Sequence, residues 1–218
     1  IFAMIAQIGV KSTFSKYSKV ASKRRITGEQ AARAVLSANG VYNVRFEHVS
    51  GELTDHYDPK TNTIRLSDSV GGSSSIAAIG VAAHEAGHAV QYAKNYAPIK
   101  LRMAIVPITR IGSTLSMPLV LIGLIFNIFE LAMIGVIFFG AALVFQLITL
   151  PVEINASRRA MNALKGEHLL EGDEVTGARK TLTAAAMTYV AALATAVVNL
   201  LYYAMRLLGN NRRRSGFL

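Results

Sequence analysis

Three long apolar runs, none interrupted by a charged side chain until its end, constrain the fold of this chain more than any other feature. They occupy residues 111–129, 131–152 and 181–206. A helix needs roughly 20 mostly apolar residues to cross a bilayer, so each run is long enough to span a membrane. Only residues 127–130 are available for a turn between the first two runs. The sequence therefore predicts a transmembrane hairpin followed by a third transmembrane helix.

The composition agrees with a chain that lies partly in lipid. Of its 218 residues, 52% are hydrophobic and only 17% are charged. The formal net charge of +10 indicates an anionic surface as partner. Beside so many apolar residues, we interpret that surface as lipid headgroups and not as nucleic acid. The chain has no cysteine, which excludes disulfides and thiolate chemistry, so any metal ligands must be His, Asp or Glu.

Charge placement predicts the orientation in the membrane. The apolar opening "IFAMIAQIGV" covers about half a span, and we interpret residues 1–10 as a truncated membrane segment. Basic residues cluster at positions 11–25 and again at Arg158 and Arg159, whereas the hairpin turn carries Glu130 and no basic residue. The positive-inside rule puts both basic regions in the cytoplasm. The arginines of the tail fit this rule badly, so the side of the C-terminus stays open.

Between these segments, the sequence predicts a compact unit with one helix and two strands ahead of its main motif. "TGEQ" is a capping box that starts a short helix, which ends at Asn39-Gly40. "YNVRFEH" alternates with a period of two and predicts a half-buried strand. After the turn "YDPKTN", the segment "TIRLS" predicts a second strand.

The motif "HEAGH" then lies on a predicted helix from about Ile76 to Tyr92, capped by the preceding "GGSSS". His84 and His88 are one helical turn apart on one face, so both imidazoles can bind one ion. Glu85 points about 100° away from His84, where it can take a proton from water instead of binding the metal. Gly87 is unfavourable inside a helix, by about 1 kcal/mol, which indicates close packing against this face.

A catalytic zinc site needs a third protein ligand and keeps a fourth position open. Glu153 is the strongest candidate, because it is the first charge after a full span, in "LPVEINASRRA", and Pro151 can kink the chain there so that a helix starts near Glu153. Ser157, one turn further on, can hydrogen-bond a ligating imidazole. His56 is the alternative ligand, in a loop between the strands. The other two histidines are interpreted as a core residue, His48, and a surface residue, His168.

Four segments carry a resemblance to a known protein family: "HEAGHAVQYAKNYAP", the apolar hairpin, "LPVEINASRRA" and "SGELTDHYDPKTNTIRLS". Together they resemble the YugP-type family of bacterial membrane zinc metallopeptidases, from about residue 11 to the last apolar run. The resemblance implies zinc ligation by His84 and His88, Glu85 as the base, a location in the cytoplasmic membrane, and a fuller N-terminal span. More distantly, Glu153 and the residues after it are similar to the E-x-x-A-D run of HtpX-type membrane proteases, whose glutamate binds zinc; Ser157 replaces their aspartate.

We therefore predict a multi-pass protease of the bacterial plasma membrane, with one Zn²⁺ per chain and its active site facing the cytoplasm. His84, His88 and Glu153 bind the zinc, Glu85 is the base, and His56, Tyr57 and Arg158 are candidates to stabilise the oxyanion. The substrate is a membrane or membrane-proximal protein that adds to "TIRLS" as an extended strand. Further partners are a second copy of the chain or another membrane protein.

Two other functions are alternatives to this predicted protease. A site-2-type intramembrane protease would place the motif helix in lipid, but "IAAIGVAA" is too short to span. A noncatalytic zinc-binding scaffold would need a fourth ligand and has no use for Glu85.

The fold class is an α+β zincin-like cytoplasmic domain fused to a transmembrane α-helical part, predominantly α. Its predicted parts are a truncated membrane segment (1–10), the zincin-like domain (11–105), the hairpin (111–152), a cytoplasmic helix carrying the third ligand (153–180), a C-terminal transmembrane helix (181–206) and a basic tail (207–218).

Overall fold

The computed structural model describes residues 2–215, with side chains only up to 207 and at 209. Over this range the protein is predominantly helical, as the sequence predicts, and it has six helices and one small sheet. The elements are α1 (Phe2–Tyr17), α2 (Gly28–Ala38), β1 (Arg45–Val49), β2 (His56–Asp58), β3 (Thr63–Ser67), α3 (Ile76–Ala93), α4 (Ala97–Ile125), α5 (Phe129–Gly166) and α6 (Asp173–Ser215).

The helix caps that the sequence predicts for α2 and α3 are present in the structure. Thr27 accepts a hydrogen bond from the amide of Gln30, whose side chain accepts one from the amide of Thr27, so the capping box at the start of α2 is complete. The helix ends at Ala38, followed by Asn39 and a glycine with positive φ. Ser75 caps α3 by accepting from the amide of Ala78. These local bonds satisfy amides that the first turn of a helix leaves unpaired.

The sheet differs from the prediction in three ways. Strand β1 begins at Arg45, so the predicted strand start at Tyr42 is wrong, and Tyr42 lies before the strand with 80% of its surface exposed. A third strand, β2, occupies three residues that were predicted to be loop. The strand order is β1-β3-β2, with β3 parallel to β1 and antiparallel to β2. The segment "TIRLS" forms β3 and lies in the centre, so both of its edges are already paired and it cannot accept a substrate strand.

Two compact units make up the described chain. The first comprises residues 3–99 and 151–188. Its core joins α2, β3 and α3 through Val35, Ile64 and Ile79, and it also includes Leu164 of α5 and Ala178 of α6, all fully buried. The parts of α5 and α6 that belong to this unit therefore complete its core. They cover apolar side chains that α2 and α3 alone would leave in water.

The second unit comprises residues 100–150 and the described residues from 189 onward. Helices α4 and α5 form the predicted hairpin around Asn127, which has a positive φ of 55°. A Cβ on Gly135 would lie 2.6 Å from the side chain of Val120, so the two helices approach closely at that glycine. Three helices of the described chain are long and apolar enough to cross a membrane: α4, α5 and residues 173–207 of α6.

The boundaries of α5 and α6 differ from the prediction. No helix starts near Glu153, because α5 is continuous from Phe129 and passes through Pro151. A proline removes one helical hydrogen bond and clashes with the preceding turn, at a cost of about 3 kcal/mol, which the remaining turns of so long a helix can offset. Likewise α6 begins at Asp173, before the predicted span 181–206, and continues into the basic tail; residues 216–218 of that tail lie outside the described residues.

Candidate metal centre

Helix α3 presents two imidazoles from one face. The rings of His84 and His88 lie edge to face, with their centroids 4.7 Å apart. Only 16% and 12% of these side chains are exposed, so both rings are largely shielded from bulk water. One helical turn between two histidines thus produces two converging nitrogen atoms, as the spacing predicts.

Glu153 approaches the same point from α5. Its side chain is 3% exposed, and its Oε2 lies 3.2 Å from Nε2 of His84 and 3.4 Å from Nε2 of His88. The ligand atoms of these three residues all lie within 4.8 Å of one another, and they form the one group of three or more metal-binding side chains among the described residues. The structure therefore brings together the three residues that the sequence selects as ligands.

Two of the three separations between the donor atoms fit a tetrahedral zinc ion. Bonds of about 2.0–2.1 Å at tetrahedral angles separate neighbouring donor atoms by about 3.3 Å. The two carboxylate-to-imidazole distances of 3.2 and 3.4 Å match this separation. Two neutral imidazoles and one carboxylate also form the His₂Glu donor set of catalytic zinc sites, which leaves a fourth position for water or substrate.

Gly87 is what lets α5 approach α3 this closely. A Cβ at this position would lie 2.5 Å from the carbonyl oxygen of Ala156 and 3.0 Å from its carbonyl carbon. Backbone atoms cannot move aside as a flexible side chain can, so only glycine fits here. The close packing that the sequence predicts at Gly87 is confirmed, and its partner is the helix that carries Glu153.

The other ring nitrogen of each histidine has its own partner. Nδ1 of His84 lies 3.0 Å from Oγ of Ser157, and Nδ1 of His88 lies 3.0 Å from Oε1 of Gln91. These contacts leave both Nε2 atoms facing Glu153. Partners of this kind orient ligating imidazoles in metal sites.

Glu85 is held by the sheet. Its Oε2 accepts a 2.9 Å hydrogen bond from the backbone amide of Tyr57 in β2. Burial raises the pKa of Glu85, while His84 and His88 act in the opposite direction. A carboxylate with a raised pKa and a fixed orientation is suited to accept and return a proton.

Tyr57 contributes through its main chain. Its hydroxyl donates to Oδ1 of Asn62 at 2.8 Å, and its ring packs against Tyr92 with 5.4 Å between centroids. Burial raises the pKa of Tyr57 to about 12, so the hydroxyl keeps its proton. In this arrangement the hydroxyl, which was a candidate to stabilise the oxyanion, is directed to Asn62.

The turn after β2 is fixed by a second set of bonds. Asp58 accepts hydrogen bonds from Thr61, from Arg65 and from the amide of Lys60. The bonds to Thr61 and Arg65 lower the pKa of Asp58 to about 2. This turn holds β2, and with it the Tyr57 amide, in register with β3.

The remaining candidates lie apart from the ligand group. His56 is exposed on β2, and its Nδ1 contacts the carbonyl of Thr54 at 2.8 Å. Arg158 is exposed on α5 and makes no hydrogen bond or ion pair with the described part of the chain. His168 is exposed, as predicted. His48 was predicted to be a core residue, and this is wrong: its ring is exposed near the end of β1 and lies 2.6 Å from Asp68.

Sequence reasoning missed two contributors to the site. Gln91 is fully buried and contacts His88, and its position three residues after His88 on one helix was an available signal. The amide of Tyr57 could not be identified in this way, because every residue except proline has such an amide and its partner lies 28 positions away.

A His–His–Glu cluster beside a half-buried carboxylate is the arrangement of a zinc metallopeptidase site, and three helices of the described chain are long and apolar enough to cross a membrane. Comparison with known proteins agrees: the chain belongs to the family described as "Putative neutral zinc metallopeptidase", which matches residues 1–208. It is 46% identical over 200 residues to "Putative membrane protease YugP" of Bacillus subtilis (strain 168), covering 92% of this chain and 89% of that protein. No solved structure matches the chain. The resemblance to the YugP-type family is thus confirmed.

Proposed function

We propose that the protein is a zincin-like zinc endopeptidase of the bacterial plasma membrane, with His84, His88 and Glu153 as zinc ligands and Glu85 as the general base. The observation that carries this proposal is the His₂Glu group, whose ligand atoms lie within 4.8 Å of one another. The adjacent Glu85 favours catalysis over a purely structural site, since a structural zinc takes four protein ligands and needs no base.

Bound zinc supplies Lewis acidity, which polarises the scissile carbonyl and makes water more acidic. The chain supplies the proton transfers. Glu85 takes one proton from the attacking water as its oxygen bonds to the carbonyl carbon, and then gives that proton to the amine nitrogen as the C–N bond breaks. The Tyr57 amide holds the carboxylate in place through both steps, because a main-chain donor moves only if β2 moves.

The substrate would lie beside β2, the strand that contacts Glu85. The N–H and C=O of one residue in a strand point to the same side. Since the Tyr57 amide points away from β3 towards Glu85, the Tyr57 carbonyl also points outward, where it can accept a hydrogen bond from a peptide amide. An extended peptide bound there would pass directly over the base. These orientations support a substrate position at the edge of the sheet, and not along β3.

We further propose that the active site faces the cytoplasm. The lysines and arginines at positions 11–25, with Arg158 and Arg159, favour the cytoplasmic side for the segments they flank, and the turn with Glu130 favours the outside. Glu153 follows directly on the apolar run 131–152. Membrane proteins and their cytoplasmic tails are therefore the expected substrates.

The test is a cleavage assay on purified protein in detergent, with casein or a membrane-protein substrate. Chelation of the metal should abolish cleavage, and Zn²⁺ should restore it. Zinc binding with no cleavage of any substrate would favour a noncatalytic scaffold. Cleavage confined to peptide bonds within a transmembrane segment would favour a site-2-type intramembrane protease.

A further inference from the structure

We propose that Gln91 is a positioning residue that fixes the tautomer of His88, so that Nε2 of this imidazole carries the lone pair towards the metal. The inference rests on the proposed zinc site and adds to it a residue to which neither the motif nor the family description gives a role. Its basis is a chain of hydrogen bonds in which only one assignment of donors and acceptors is consistent.

The orientation of the Gln91 amide is set by α5. Its Nε2 lies 2.8 Å from the carbonyl oxygen of Val152 and 3.0 Å from Oδ1 of Asn155. A backbone carbonyl can only accept, so the atom facing it must be the amide nitrogen. The amide oxygen then faces Nδ1 of His88, at 3.0 Å. Because Gln91 is fully buried, water does not compete for these bonds.

The orientation of Asn155 is set in turn by Arg159. The guanidinium Nε of Arg159 lies 2.8 Å from Oδ1 of Asn155. A guanidinium only donates, so this atom of Asn155 must be the oxygen, and it accepts from Gln91 as well. Arg159 itself lies over the ring of Tyr96, 5.8 Å from the centroid. This hydrogen-bond network thus begins at a group that can only donate, the guanidinium of Arg159. It also includes a group that can only accept, the carbonyl of Val152.

Only one of the two neutral tautomers of His88 completes this hydrogen-bond network. Since Oε1 of Gln91 accepts, Nδ1 of His88 must carry the hydrogen. In a neutral imidazole the other nitrogen, Nε2, is then unprotonated, and it is the atom that faces Glu153. His84 differs here, because its partner is the hydroxyl of Ser157, which can rotate to donate or to accept. Of the two imidazoles, His88 is the one whose neutral tautomer is determined by its hydrogen-bond partner.

The test replaces Gln91 by leucine in the full chain, in detergent. The matched control is Thr181→Val, which removes a buried hydrogen bond of the same unit, to the carbonyl of Gly177, without touching the ligand group. Three quantities are measured: zinc affinity by competition with a chromophoric chelator, the visible spectrum of the Co²⁺-substituted protein, and solvent exchange of the His88 ring N–H by NMR. None of them depends on proteolysis.

We expect Gln91→Leu to lower zinc affinity by about 10- to 100-fold, as loss of a partner to a metal-binding histidine typically does. The Co²⁺ spectrum should shift and the His88 ring N–H should exchange faster, while Thr181→Val changes none of the three. Wild-type affinity and spectrum in Gln91→Leu would overturn the inference and leave the proposed protease intact. Zinc binding by the wild type with no cleavage would overturn the protease and leave the inference intact. Failure of the wild type to bind zinc would overturn both.

Should Gln91→Leu fail to fold, Asn155→Ala is the second variant, because Asn155 is only partly buried and reaches His88 through Gln91 alone. We expect a smaller loss of zinc affinity, of several fold, with a Co²⁺ shift in the same direction. An Asn155→Ala protein with the wild-type affinity, spectrum and exchange rate would contradict the inference.

Discussion

The amide of Tyr57 donates a 2.9 Å hydrogen bond to Oε2 of Glu85, and this bond connects the proposed base to the edge strand β2. The hydroxyl of the same tyrosine is bonded to Asn62 instead. Main chain and side chain of one residue therefore serve different purposes, and substitutions can separate them.

Tyr57→Phe should retain proteolysis within about threefold, because the amide and the ring remain. Loss of a donor to the oxyanion typically lowers kcat by about 10²–10³. A loss of that size would restore the hydroxyl as a donor in the reaction. Tyr57→Pro, which removes the amide, should lose most activity, and kcat for both variants with one peptide substrate checks the difference.

Glu85→Gln should bind zinc normally and lose about 10²- to 10⁴-fold in kcat, because the amide has nearly the same shape but cannot accept a proton. Glu52→Gln, at an exposed glutamate on the loop before β2, is the matched control and should be fully active. Metal content and kcat are measured on the same samples. Near-normal turnover in Glu85→Gln would remove Glu85 as the base.

Glu153→Ala should weaken zinc binding by orders of magnitude, as should His84→Ala or His88→Ala, because each removes one of three donors. Elemental analysis after dialysis distinguishes these variants from Glu85→Gln, which keeps its metal. His56→Ala should keep its zinc; if it loses the metal while Glu153→Ala retains it, His56 is the third ligand.

Gly87→Ala and Gly80→Ala form a matched pair on α3. At Gly87 the new Cβ would meet the backbone of Ala156 at 2.5 Å, whereas at Gly80 it would meet Ala178 at 3.7 Å, an ordinary contact. We expect Gly87→Ala to destabilise the protein by about 1–3 kcal/mol through overpacking, and to weaken zinc binding. Gly80→Ala should be neutral, or stabilising by up to about 1 kcal/mol. Thermal unfolding and zinc affinity of the pair test this, and equal effects would contradict it.

Single cysteines test the orientation, because the chain has none of its own. Ile128→Cys, at the exposed hairpin turn, should react with an impermeant maleimide added to intact cells. Lys60→Cys, in the turn after β2, should react only after lysis. Labelling of Lys60→Cys in intact cells would place the active site outside.

The local features of this protein could be predicted because they depend on near neighbours in sequence. The capping box at Thr27 and the turn between α4 and α5 are of this kind. So is the convergence of His84 and His88, which follows from the helical repeat alone. Glu153 could be selected because the first charge after an apolar run is conspicuous in so apolar a chain.

The wrong predictions concern features that depend on contacts between residues far apart in the sequence. Strand β2 has three residues, too few to show a period of two. No local sequence feature indicates that β3 lies between β1 and β2 in the sheet. His48 shares a strand face with Phe46, which packs against the core, but it lies near the end of β1, where its ring is exposed beside Asp68. The partners of Gln91 on α5 lie more than 60 positions away, so the way α5 orients its amide required the structure.

The distance along the chain between the ligands has a consequence for biosynthesis. Glu153 follows His84 by 69 residues, on a different helix. At about 5–20 residues per second, the ribosome needs about 3–14 s to make the stretch between them. During that interval the nascent chain has two histidines and no carboxylate to complete the site. The proposed site is therefore incomplete until α5 has been made and has packed against Gly87.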